Sequence, residues 1–190
     1  EPRLCQNRTS RIVHLSSSVE RKMNRSGVDL EQEFGTAIKD NPLKSKSIII
    51  TGAASGIGRA VALHLASLGC RLALTDLDLE SGKAVCQEIR DAMKGKADVV
   101  FAGLDVSDDQ SVGKLVRTFG KTYKRLDGLV NCAGINRPTV ATHDIPSIEF
   151  FNTTFDINTR GTISFCRYFI KEIYSRLDER TPPEGGYSIV

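Results

Sequence analysis

The stretch Thr51–Ala60, TGAASGIGRA, constrains this chain more than any other. It follows the apolar run Ser47–Ile50 and leads into Gly56–Leu68, where Ile57, Val61, Leu65 and Leu68 recur at helical spacing before Gly69 as a stop. A strand, a turn with Gly52, Gly56 and Gly58, a helix and a second apolar run at Arg71–Thr75 make a βαβ unit. Such a glycine turn lets bare backbone N–H groups and the positive end of a helix approach an anion that side chains would block.

The alternation continues. Helix is expected over Ser81–Met93, strand over Asp98–Ala102, helix over Asp108–Tyr123 with Ser107 as N-cap, and strand over Leu126–Asn131. A loop with Pro138 and Pro146 comes next, then a long helical stretch from about Ser147 to Leu177, a TPPEGG break and YSIV, the first half of a fifth strand. Alternating strands and helices predict an α/β, doubly wound parallel sheet, Rossmann-like and truncated in its fifth strand. Right-handed crossovers give the order 3-2-1-4-5, with the ligand at the switch point beside strand 1.

Residues 45–190 are read as this one domain and residues 1–44, polar and without a sustained apolar period, as a flexible N-terminal extension. The formal net charge of +3 is local: residues 1–25 hold six Lys or Arg against two acids, which leaves −1 for the rest. A near-neutral domain gives no electrostatic reason to expect nucleic acid. The Arg- and Ser-rich start has the composition of a transit peptide, though Glu1, Glu20 and the lack of an amphipathic stripe oppose it; Met23 is a candidate natural start. The longest apolar stretch, Ala60–Leu74, is broken by His64 and Arg71 and is too short for a bilayer, so no membrane partner is expected. Five scattered cysteines without a C-x-x-C read as thiols of a reducing, cytoplasmic setting, with a mitochondrial one if the start is a transit peptide. Three scattered histidines suggest no metal site.

Spacing narrows the anion. The turn lacks the Lys-Ser/Thr of a mononucleotide P-loop, and Asp76 stands 24 residues after Gly52 at the end of strand 2, where a dinucleotide fold holds the adenosine ribose. The competing reading, a tight turn with Asp76 capping a loop, leaves the register of strand, turn, helix, strand and acid unexplained.

TGAASGIG, LDVSD (Leu104–Asp108), NCAG (Asn131–Gly134) and INTRG (Ile157–Gly161), in that order from about Lys46 to Val190, resemble the short-chain dehydrogenase/reductase family. The resemblance implies that Gly52, Ser55, Gly56, Ile57 and Gly58 form the pyrophosphate loop, that Asp76 reads the ribose, and that Asp105 and Val106 meet the adenine. It implies that Asn131, Ala133 and Gly134 stabilise the sheet and border the cofactor. Cys132 replaces the commoner Asn and reads as a packing thiol rather than a nucleophile.

Asn158 interrupts the inward series Phe151, Phe155, Asn158, Thr162, Phe165, Phe169, Ile173, and a buried amide needs partners. Either neighbouring backbone satisfies it or it turns toward the site. By resemblance it matches the family's catalytic Asn of the proton relay, with local helix distortion around it. The family's remaining catalytic residues, a Ser after strand 5 and a Tyr-x-x-x-Lys pair, have no match: Tyr123, Tyr168 and Tyr174 lack a Lys four residues on, and Val190 falls within strand 5.

The resemblance therefore implies an oxidoreductase that moves hydride between NAD, or less readily NADP, and a small-molecule carbonyl or alcohol substrate, homo-oligomeric at full length. This chain is expected to be an inactive N-terminal fragment of it. A non-catalytic NAD(P)-binding regulatory module and an interaction domain that has lost the cofactor are the alternatives, the latter opposed by the intact glycines and Asp76.

Overall fold

The computed structural model describes residues 41–136, 147–176 and 186–190. The expected N-terminal extension, the Pro138–Pro146 loop, Leu177 and most of the TPPEGG break lie outside the described residues, apart from the last few residues of the extension.

Five parallel strands form one sheet in the order β3-β2-β1-β4-β5, as expected. β1 (Ser47–Thr51) lies at its centre and is buried at every position, which its Ile-Ile-Ile core suits. It pairs with β2 (Arg71–Asp76) from Ser47↔Arg71 to Thr51↔Thr75 and with β4 (Gly128–Asn131) from Ile48↔Gly128 to Thr51↔Asn131. β3 (Val99–Gly103) continues beyond β2, and β5 (Ser188–Ile189) beyond β4. β4 begins at Gly128, later than expected: ahead of it the Asp127 carboxylate, held by Arg125, accepts the Ser47 N–H at 2.8 Å.

Period-two alternation sorts the sheet's side chains into two cores. Ile48, Ile50, Leu72 and Leu74 pack with Ala62 and Ala66 of α1 (Gly56–Ser67) and Val85 and Ile89 of α2 (Leu79–Ala92). Ile49, Ala73 and Leu129 pack with Val112, Val116 and Phe119 of α3 (Asp109–Tyr123), and with Phe165, Phe169 and Ile173 of α5 (Thr162–Tyr174). No described helix is long and apolar enough to cross a membrane.

Two helix starts differ from expectation for one reason. Asp78 and Asp108, rather than residues nearer the apolar stripe, are the N-caps: the Asp78 carboxylate accepts from Glu80 and Ser81 N–H, and that of Asp108 from Gln110 and Ser111. Ser107 is displaced from the expected cap because its own N–H and hydroxyl are spent on Asp105 Oδ1, at 2.9 and 2.7 Å.

The long helix is interrupted. α4 (Ile148–Phe155) runs into a π-helical turn, Asp156–Gly161, before α5. A π turn inserts an extra residue, so the apolar stripe before it falls out of phase with the one after it. Phe165, Phe169 and Ile173 are buried as expected, whereas Phe151 and Phe155 are 61% and 48% exposed and stack on each other instead. The expectation of a buried Asn158 fails with them, since its residue is exposed within the π turn.

Candidate functional site

A cavity of about 450 Å³ opens at the carboxyl ends of β1, β2 and β4. Its floor is the glycine turn. Gly52 has φ +63°, and a Cβ there would lie 2.6 Å from the backbone of Cys132 and Ala133, so only glycine lets the β1 and β4 ends meet. Gly58 packs still more closely, on Gly52 O, at 2.1 Å from the position of a Cβ. Gly56, by contrast, has φ +51° and nothing within 4 Å of a Cβ, which leaves its backbone open to the cavity.

The start of α1 differs from the other helix starts beside it. Ser55 is its N-cap but makes no side-chain capping bond, and the first turn carries no acid. α2, α3 and α4 are each capped by a side chain and each carry an acid in the first turn. Among the described residues the N-terminal N–H groups of α1 thus have no capping side chain and its positive dipole end borders the cavity, the arrangement that binds phosphate.

Gly52, Ser55, Gly56, Ile57 and Gly58 line one side of the cavity, Asp76 and Leu77 the next, and Asp105, Val106 and Leu104 the third. Ala133 and Gly134, with Cys132, Ile135 and Ile157, close the remaining wall. Ten sequence-expected residues are therefore brought together. Asp76 Oδ2 accepts the Ala54 N–H at 2.9 Å, and Oδ1 that of Asp78 at 3.1 Å.

Asn131 and Asn158 stand behind this lining. Asn131 donates its N–H to Val190 O at 2.8 Å and its Nδ2 to the same oxygen at 3.3 Å, joining β4 to β5. Asn158 Oδ1 accepts the Ile135 N–H at 2.8 Å, and its Nδ2 donates to Ile135 O at 2.9 Å. Of the two partners open to it in sequence, the amide takes neighbouring backbone.

Sequence reasoning missed Thr51, whose hydroxyl accepts the N–H groups of both Cys132 and Ala133 at 3.1 Å. A hydroxyl ending a run of isoleucines was the available signal. Leu77, Leu104, Ile135 and Ile157 were also missed as wall residues, since nothing in the local sequence distinguishes an apolar side chain that lines a cavity from one that packs in the core. Cys132 is half-buried and burial raises its thiol pKa, which agrees with a packing role. Among the described residues no cluster of His, Cys, Asp and Glu could hold a metal ion.

A parallel sheet in this order with an open cavity at its switch point defines a Rossmann-like, doubly wound α/β domain. Comparison with known proteins narrows the class. The short chain dehydrogenase model matches residues 46–179, and the chain belongs to that family. An uncharacterized oxidoreductase of Thermotoga maritima is 35% identical over 130 residues, 68% of this chain and 49% of that protein. The 3-hydroxyacyl-CoA dehydrogenase type-2 of Drosophila melanogaster is 35% identical over 130 residues, 66% of this chain and 48% of that one. The crystal structure of gox2181 superposes with a TM-score of 0.66 at 28% identity, covering 79% of this chain and 55% of that one. The chain spans about half the length of the curated relatives it matches.

Proposed function

We propose that this chain binds NAD and contributes the cofactor half of an oxidoreductase that moves hydride between NAD(H) and the carbonyl or alcohol carbon of a small molecule. The uncapped start of α1, open to the cavity at Gly56, carries the reading. The residues present fit such a cofactor: a glycine cradle for the pyrophosphate at Gly52, Ser55, Gly56, Ile57 and Gly58, a carboxylate at Asp76 for ribose hydroxyls, and Asp105 and Val106 on the adenine side. The nicotinamide, when bound, supplies the hydride chemistry; the chain orients it and excludes water.

Asp76 disfavours a 2′-phosphate through charge, and Asp78 adds a second carboxylate beside it. Arg59, the cation nearest the turn in sequence, is engaged by Glu88 of α2, with Nε at 3.0 Å from Oε2. NAD is therefore the preferred form over NADP. Ala133 and Gly134 border the nicotinamide side, and Asn131 and Asn158 hold that wall from behind. Asn158 acts by fixing Ile135, whose N–H its Oδ1 accepts, and the family resemblance supports a role for it in the proton relay.

The acid–base residues of the reaction are assigned to a Ser and a Tyr-x-x-x-Lys pair that these 190 residues do not contain, so this chain alone is proposed to bind cofactor without turnover. The exposed Ile148, Phe151 and Ile163 favour a homo-oligomeric whole protein, and the four described cysteines, all unpaired, favour a reducing compartment such as the cytoplasm.

Titration calorimetry with NAD and NADP tests the assignment. NAD should bind more tightly, and Asp76→Ala should shrink the ratio between the two. Equal or tighter NADP binding by the unmutated protein would sink it.

A further inference from the structure

Each carboxylate oxygen of Asp76 accepts one backbone N–H and keeps a lone pair for a further donor, and the side chain joins two segments distant in sequence. Its Oδ2 accepts the N–H of Ala54, inside the glycine turn, and its Oδ1 accepts that of Asp78, whose own carboxylate caps α2 through Glu80 and Ser81. Ala54 is only 7% exposed, so water cannot readily replace the carboxylate at its N–H. The main chain on either side is tied in parallel: Ala53 N–H donates to Thr75 O at 3.2 Å and Leu104 N–H to Asp76 O at 2.9 Å.

We propose that Asp76 is a positioning residue for the glycine turn as well as a ribose reader, its carboxylate setting the shape of the phosphate cradle through Ala54. This rests on the cofactor reading above. The reason is geometric: a carboxylate that only read hydroxyls would present its oxygens to the cavity, whereas here one oxygen is drawn back to the turn. Removing it releases a buried N–H within a segment that must hold Gly52 and Gly56 at positive φ. Loss of the carboxylate therefore weakens the pyrophosphate subsite too, and a ligand with no ribose hydroxyls to read still feels the substitution.

A cycle of protein and ligand deletions separates the two roles. NAD and its analogue lacking the 2′- and 3′-hydroxyls of the adenosine ribose are titrated into the unmutated protein, Asp76→Ala and Asp76→Asn, with amide hydrogen exchange at Ala54 read without ligand. A residue that only reads hydroxyls leaves affinity for the analogue unchanged in Asp76→Ala. The positioning role lowers it by about fivefold or more and speeds exchange at Ala54. Asp76→Asn, which keeps an acceptor oxygen for Ala54, should restore both toward the unmutated values. Analogue affinity within twofold of the unmutated protein in Asp76→Ala overturns the proposal, whatever the exchange shows. Asp76→Ser, too short to reach Ala54, repeats the comparison if the Ala variant does not fold. If the unmutated protein binds no NAD, the cofactor reading fails, and exchange at Ala54 alone decides whether the carboxylate holds the turn.

Discussion

The side-chain amide of Asn158 closes a ring with the peptide group of Ile135, accepting its N–H at 2.8 Å and donating to its carbonyl at 2.9 Å. The two residues are 23 apart in sequence, and the ring pins the wall after β4 to the π turn. Gly134 lies against the same amide, where a Cβ would come within 3.3 Å of Asn158 Oδ1.

Asn158→Ala should therefore loosen the loop at Gly134–Ile135. Two exposed bonds, each at the low end of roughly 0.5–1.5 kcal/mol, set the expected loss at about 1 kcal/mol in urea unfolding. On the proposed function, turnover of an enzyme that contains this domain should fall further than that loss of stability explains, because the loop would then border the nicotinamide. Asn158→Asp should be no milder, as it sets a carboxylate oxygen against the Ile135 carbonyl. Unchanged turnover with the expected loss of stability would make the residue purely structural.

The glycines of one turn should separate by role. Gly52→Ala combines a positive φ with a backbone clash, and should cost at least about 2 kcal/mol of stability. Gly56→Ala has open space around its Cβ and should fold, yet bind NAD more weakly because the methyl group occupies the cavity side of the turn. Thermal melts and NAD titration of the two variants check this; equal melting points would refute it.

Acid should weaken the contact between α3 and α5. The Asp109 carboxyl is held below its ordinary value of 3.8, first by the Ser164 hydroxyl and then by Tyr168 and Arg167. A depressed folded-state pKa means stability that is complete above the unfolded value and lost as pH falls through the folded one. Hydrogen bonds from Ser81 and Ser111 depress the capping carboxyls Asp78 and Asp108 in the same direction. Denaturation midpoints should hold steady down to about pH 4 and decline below it, and Asp109→Asn should make that decline shallower.

Thiol labelling should follow burial. The Cys70 thiol is pushed up to about 11, mainly by burial with the charge of Asp127 adding to it, and burial also raises those of Cys86 and Cys132. At neutral pH an alkylating reagent, read out site by site by mass spectrometry, should modify Cys70 and Cys86 only as fast as the domain opens. Bound NAD should slow labelling of Cys132, which lines the cavity, and leave Cys166 unaffected. Cys70 reacting as fast as in denatured protein would contradict this.

Much of this protein was legible in its sequence because the signals are local. Strand β1 announces itself in Ser-Ile-Ile-Ile-Thr, the glycine turn in the spacing of Gly52, Gly56 and Gly58, and the strand order follows from short right-handed crossovers that leave few alternatives. What the tertiary structure decided depends on neighbours distant in the chain. No local pattern shows that the Thr51 hydroxyl receives two N–H groups 81 and 82 residues away, or that the Asp76 carboxylate turns back to Ala54. Nor can a helical stripe reveal its own phase break: the π turn at Asp156–Gly161 leaves Phe155 exposed and moves Asn158 from the supposed core to the rim, and only packing against the sheet decides which side of such a turn stays in register.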